Sequence, residues 1–190
     1  MREKMIKFYV MLIYPLITLA FAGQYSLLYE NLSYVGNQGN HRLFFILWGI
    51  GTILAMGISI TRCIPYCYHK RQIKWMCAFT TGLLMFAILL PYLPKTYPFL
   101  SFLHLIFSFT APTCLLLCVG LLLYEFYLMQ VSFFKNSFQI FMLIIIIALG
   151  ILFRYGSVNS LCEVFIAIST ANLLYYMASK CCWMSKEENN

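Results

Sequence analysis

The chain has 190 residues, of which 62% are hydrophobic and 10% charged, with a net charge of +7. A typical soluble domain has about 25% charged residues, so this composition excludes a water-soluble protein and favours a single membrane domain. The basic residues do not form a stripe interleaved with stacking aromatic residues, so we expect no nucleic-acid partner.

Six apolar stretches approach the roughly 20 residues that a helix needs to cross the bilayer core. The first follows Arg2, Lys4 and Lys7. It is longer than the apolar core of a signal peptide, so we predict a retained helix. The pattern predicts an all-α, polytopic six-helix bundle. The predicted spans lie near residues 8–28, 43–64, 75–93, 99–124, 138–153 and 158–178.

Lysine and arginine are distributed unevenly between the two ends of this predicted bundle. Ten lie at the end that holds both termini, and the other end holds only Arg42, Lys95 and Arg154. Because cytoplasmic loops carry the excess of these residues, we predict a multi-pass protein of the cell membrane with both termini cytoplasmic. The basic excess also fits membrane lipids with anionic head groups as partners.

Small and polar residues show which helix faces turn inward, because close helix packing in lipid uses Gly, Ala, Ser and Thr. The second, fourth and sixth spans carry such residues at helical spacing, whereas the fifth has almost none. We therefore predict that the fifth span is peripheral and largely faces lipid. The inward-facing residues are Thr52, Ala55 and Ser59; Ser101, His104, Ser108 and Ala111; and Ser160, Glu163, Ala167 and Ala171.

Ionisable side chains gather at the predicted outer end of the bundle, namely Glu30, Arg42, His104, Arg154 and Glu163. One interpretation is an outward-facing polar pocket with His104 and Glu163 as its floor. Arg42 or Arg154 would then bind a phosphate or carboxylate through forked hydrogen bonds. The other interpretation is structural, with Glu163 paired to Arg154 and His104 hydrogen-bonded to a neighbouring helix. The sequence leaves both open.

The first outer loop, about Tyr29 to Arg42, is the longest connection and reads "NLSYVGNQGNHR" over residues 31–42. It lacks the Lys-Ser/Thr pair and the strand-to-helix setting of a phosphate loop. Its glycines favour tight turns. Since it should lie over the ends of the fourth and sixth spans, we predict that it covers any pocket there.

Complete catalytic and metal-binding groups are missing from the chain, so we predict no catalytic residue, metal or cofactor. There is no aspartate, and the three histidines lie at different depths. Cys63 and Cys67 form only one incomplete zinc knuckle. A Ser–His–Glu grouping of Ser33 or Ser101 with His104 and Glu163 stays open on residue types alone. No cysteine pair faces the predicted oxidising side, so disulfides are not expected.

Three segments together carry a family resemblance: Leu-Ser-x-x-Gly at 32–36, "PYLPKTYPFLSFLHLIFSF" at 91–109 and "GSVNSLCEVF" at 156–165. Over nearly the whole chain, this pattern resembles bacterial six-span membrane proteins of unknown function related to the DRAM/FRAG-like family. The resemblance implies that Ser33, Gly36, His104 and Glu163 meet at the outer end. Eukaryotic relatives of that family are tied to lipid-anchor remodelling and membrane trafficking.

We therefore predict a lipid-interacting membrane protein with an outward-facing polar pocket lined by Ser33, Gly36 and the five ionisable residues. One alternative is the membrane-embedded substrate-binding subunit of a vitamin-type transporter. Another is an interaction or immunity protein without a small ligand. Whether the partner is a second copy of the chain or another membrane protein stays open.

Overall fold

The computed structural model describes residues 2–24, 26–37 and 41–187, and these residues form helices and connections without strands. Six helices are long and apolar enough to cross a membrane, which confirms the predicted all-α, six-helix class. We number them spans one to six in chain order. Their bounds are Glu3–Ala22, Arg42–Tyr66, Lys70–Leu89, Pro98–Leu128, Phe134–Tyr155 and Ser160–Met184.

Span one contains a π-helical turn, Tyr9–Ile13, between two α-helical segments. The Tyr14 N–H group donates to the Tyr9 carbonyl five residues back. Pro15 follows directly; it has no N–H group, and its ring clashes with the carbonyl four residues earlier in a regular helix. The wider turn accommodates the proline without ending the helix.

Spans one and three end before the sequence-based bounds, whereas spans four and six continue beyond them, to Leu128 and Met184. Span one ends at Ala22 rather than near residue 28, because the chain turns at Gly23 and the carbonyls of Leu27 and Leu28 instead accept from Leu161 in span six and from Asn159 just before it. Span three ends at Leu89 rather than near residue 93. Pro91 explains this end, since proline disfavours helical geometry in the residue before it.

The predicted inward faces are confirmed in spans two, four and six. Thr52, Ser59, Ser101, Ala111 and Ala171 are all buried. Span five is confirmed as peripheral, with the smallest buried share of the six spans, 17%. Large side chains of span five are therefore exposed where lipid would surround the bundle.

The start of span one and the end of span six lie at one end of the bundle, which we call the terminus end, since Glu3 and Lys180 line the same groove there. The opposite end, where residues 27–32 bond to the start of span six and to the residue before it, is the loop end. A smaller apolar cluster at the loop end contains Phe21, Leu32, Phe45 and Val164. A short helix, Leu32–Asn37, packs as part of this cluster, and we call it the loop helix.

Candidate functional site at the loop end

The connection between spans one and two, residues 23–41, is the long loop, and backbone hydrogen bonds fasten it to the start of span six. The Ser160 N–H group donates to the Glu30 carbonyl at 2.6 Å, and the Leu161 N–H group donates to the Leu27 carbonyl at 2.9 Å. The Ser160 hydroxyl also donates to the Glu30 carbonyl at 2.8 Å. Residues 38–40 of the predicted cover lie outside the described residues.

Asn159 precedes span six and adds two further contacts. Its side-chain nitrogen donates to the Leu28 carbonyl at 3.0 Å, and its oxygen accepts from the Cys162 N–H group at 3.0 Å. The second contact caps span six, whose first N–H groups have no partner within the helix. One asparagine therefore starts the helix and also holds the loop.

Glu163 binds the first residue of the loop helix. Its Oε2 atom accepts from the Leu32 N–H group at 2.6 Å. Asn31 caps the same helix, since its side-chain oxygen accepts from the Tyr34 N–H group at 2.7 Å. The start of this short helix thus has two side-chain acceptors, and the carboxylate comes from 131 residues away in the chain.

Gly36 lies where the loop helix touches span two. A Cβ atom there would lie 2.5 Å from Cγ and 2.6 Å from Cβ of Phe45. Ser33, one turn earlier, is buried, and its carbonyl accepts from the Asn37 side chain at 2.7 Å. Gly36 therefore lets the loop helix pack closely on span two, while Ser33 bonds within the loop helix.

Arg42 and His104 both donate to the last carbonyls of span three. The Arg42 Nη2 atom donates to the Leu89 carbonyl, and the His104 Nδ1 atom lies 3.0 Å from the Leu90 carbonyl oxygen. The final carbonyls of a helix have no partner within the helix, so these side chains satisfy groups that would otherwise lie unpaired near the membrane.

The His104 ring is 1% exposed and has both nitrogens engaged. A carbonyl oxygen only accepts, so Nδ1 carries the hydrogen and Nε2 is the acceptor. The Ser108 hydroxyl lies 3.0 Å from Nε2 and donates to it. This is the hydrogen bond to a neighbouring element that the structural interpretation expects, with Ser108 added from the same helix.

Glu30 and Arg154 are the two candidates with the fewest contacts. The Glu30 Oε2 atom is buried and has no hydrogen-bond partner within the described residues. Arg154 is exposed, and its guanidinium carbon lies 5.7 Å from the centre of the Tyr155 ring. The predicted pairing of Arg154 with Glu163 is not found among the described residues, because Glu163 turns to Leu32 instead.

The candidates thus form two groups at the loop end rather than one shared floor. Glu163 lies beside the loop helix with Ser33 and Gly36, and His104 and Arg42 cap span three. Arg42 approaches the loop helix through Asn37, at 3.4 Å. Over the described part of the chain, no hydrogen bond joins His104 to Glu163. Ser101 accepts from the Leu93 N–H group, so Ser108 is the hydroxyl that meets His104.

Glu125 is a further buried ionisable residue that the sequence analysis missed. It lies in span four near the terminus end and is 0% exposed. Its carboxylate accepts from the backbone N–H groups of Tyr68 and His69, and its Oε1 atom lies 2.6 Å from the His69 Nδ1 atom. It thereby holds the connection between spans two and three. It stands alone among apolar residues in "GLLLYEFYLM" (120–129), and this contrast was the signal available in the sequence.

Three cysteines at the terminus end, Cys63, Cys67 and Cys181, are buried. Cys67 lies between spans two and three, and its thiol donates to the Cys63 carbonyl at 3.3 Å. Burial, and to a lesser degree the Glu125 carboxylate, raises the pKa of the Cys67 thiol to about 12. The thiol therefore stays protonated at neutral pH. Within the described ranges, no group of three His, Cys or Glu residues is arranged to hold a metal ion.

These features define the class of the protein: it is a polytopic membrane protein with six candidate spans. The chain matches no family model, and comparisons with curated proteins and with solved structures found no similar protein. The family resemblance carried by Ser33, Gly36, His104 and Glu163 therefore stays a prediction. The orientation in the membrane stays a prediction from the lysine and arginine distribution.

Proposed function

We propose that this protein is a lipid-interacting membrane protein whose ligand approaches through the membrane and not through an opening at the loop end. The observation that carries the proposal is the attachment of the long loop to span six. Glu163, Asn159 and Ser160 all hold this loop by hydrogen bonds.

A fixed loop argues against entry of a water-soluble ligand from this side. To open, the loop would have to release backbone groups that are partly buried, at about 1–3 kcal/mol for each group left unpaired. A lipid needs no such opening, because it reaches the bundle sideways. The exposed apolar side chains of the spans, such as Phe102 and Ile146, meet it there.

The transport alternative, in contrast, needs a loop end that opens. A substrate-binding subunit must open that end to load its substrate, and Arg42 and His104 would have to face the substrate. In the structure both side chains are directed to the carbonyls that end span three. These two polar side chains are thus already engaged.

A mass-spectrometric survey of the purified protein tests this function. After gentle detergent extraction, we expect discrete lipid adducts on the intact protein and no stoichiometric water-soluble metabolite. The control is the same protein stripped of lipid by extended detergent washing and then given lipid again. A water-soluble metabolite bound one to one, without lipid, would favour the transport alternative. Absence of any bound small molecule would favour the interaction protein.

A further inference from the structure

A basic groove runs between span one and span six at the terminus end, away from the residues of the loop end. Lys4, Lys7 and Met11 line it from span one, and Asn172 and Ser179 line it from span six. A second hollow shares Ser179 with this groove and continues along span six. We treat the two as one groove and call it the basic groove.

The charge of the basic groove is positive. Lys4 and Lys7 are exposed on span one, Lys180 lies on span six, and Glu3 is the acidic residue in the lining. Ammonium groups at the border of an apolar region attract phosphate more strongly than they do in bulk water.

Aromatic rings hold one of these cations in place. The Lys180 Nζ atom lies 5.9 Å from the ring centre of Tyr176 and 5.9 Å from that of Trp183. Such contacts favour an ordered ammonium group. Trp183 is 56% exposed. Tryptophan at the end of a span is typical of the lipid headgroup level, so the groove opens where phosphates of the bilayer lie.

A polar atom deeper in the groove still lacks a partner. The Asn172 Oδ1 atom is buried and has no donor among the described residues. Asn172 lies two turns from Ser179, about 10 Å along the helix. A buried acceptor without a donor costs free energy. A bound molecule with a donor group at this depth would satisfy it.

The groove also offers an apolar continuation. Met11 lines it and is 47% exposed, and the neighbouring Leu12 is 46% exposed. Free inorganic phosphate would gain nothing from contact with these apolar side chains, whereas an acyl chain would pack along them. The basic groove thus combines a site for an anion with a path for a hydrocarbon chain.

We propose that the basic groove binds the phosphate-bearing headgroup of an anionic phospholipid, with Lys4, Lys7 and Lys180 around the phosphate. This rests on the proposed lipid interaction and names its lipid class and place. With the orientation predicted from the sequence, the lipid belongs to the cytoplasmic leaflet.

Replacing both Lys4 and Lys7 with glutamine tests the proposal. The probes are phosphatidylglycerol and phosphatidylcholine with identical acyl chains, titrated against the detergent-purified protein and measured by native mass spectrometry. We expect the wild-type protein to prefer phosphatidylglycerol. The variant should bind this lipid about 10- to 30-fold more weakly, because each lysine near a membrane surface raises the affinity by about tenfold or less. Phosphatidylcholine binding should stay within about twofold.

The matched control replaces both Lys70 and Lys74, at the start of span three, with glutamine. This double substitution removes the same charge from the same end of the bundle. This control should keep the wild-type preference. Equal losses in both double variants would overturn the groove as the site, although lipid binding itself would stand. Retention of no lipid by the wild type would overturn the proposed function as well. Millimolar inorganic phosphate that displaces the lipid completely would overturn lipid as the occupant.

Discussion

Replacing Glu125 with alanine is expected to lower the free energy of unfolding by about 1.5–3 kcal/mol, the range for hydrogen bonds to a charged group. The carboxylate is fully buried and accepts from Tyr68, from the His69 backbone and from the His69 ring. Alanine would leave these donors without an acceptor and a small cavity beside span four. Unfolding in mixed detergent micelles, followed by loss of helical circular dichroism, measures the effect.

The matched control for that change is His69→Ala. It removes the ring donor and leaves the two backbone hydrogen bonds to Glu125 intact. Because the His69 side chain is 39% exposed, we expect a loss of only about 1 kcal/mol. Equal losses in the two variants would mean that the ring contact, and not the buried carboxylate, holds the connection between spans two and three.

Replacing Gly36 with alanine is expected to lower the free energy of unfolding by about 1–3 kcal/mol, the usual cost of overpacking. The added methyl group would lie 2.5 Å from the root of the Phe45 ring, which cannot swing away as a flexible side-chain tip would. Either the loop helix or span two would have to shift. The same unfolding measurement applies.

Gly57 offers the matched control for Gly36→Ala. It lies inside the span two helix, and a Cβ atom there would meet nothing within 4 Å. Gly57→Ala should therefore be neutral or stabilising by roughly 0.5–1 kcal/mol, since alanine is the better helix former. Wild-type stability in Gly36→Ala would show that the loop helix does not pack on Phe45 as described.

Hydropathy was sufficient to predict the six spans, because the length of an apolar run is set by the thickness of the bilayer. It failed at the end of span one, where Leu27 and Leu28 continue the apolar run although the backbone has already turned. Their carbonyls bond to Leu161 and Asn159. Such tertiary contacts leave no trace in the periodicity of one segment.

The position of the polar residues was predictable, but their partners were not. His104, Arg42 and Glu163 do lie at the loop end, as their depth in the spans indicated. Their partners, however, are backbone groups of Leu90, Leu89 and Leu32. Every residue has such groups, and only the fold determines which ones are left without a helical partner. A list of side-chain types therefore suggested a shared pocket, whereas the contacts form separate caps.

Amide hydrogen exchange in the reconstituted protein tests most directly whether the long loop closes the bundle. The amides of Leu32, Ser160 and Leu161 donate to Glu163, Glu30 and Leu27. If the loop is fixed, these amides should exchange as slowly as those inside the spans. In Glu163→Gln, Leu32 should exchange faster while Leu161 stays protected. Rapid exchange of all three amides in the wild type would contradict a closed loop end and would favour a loop that opens.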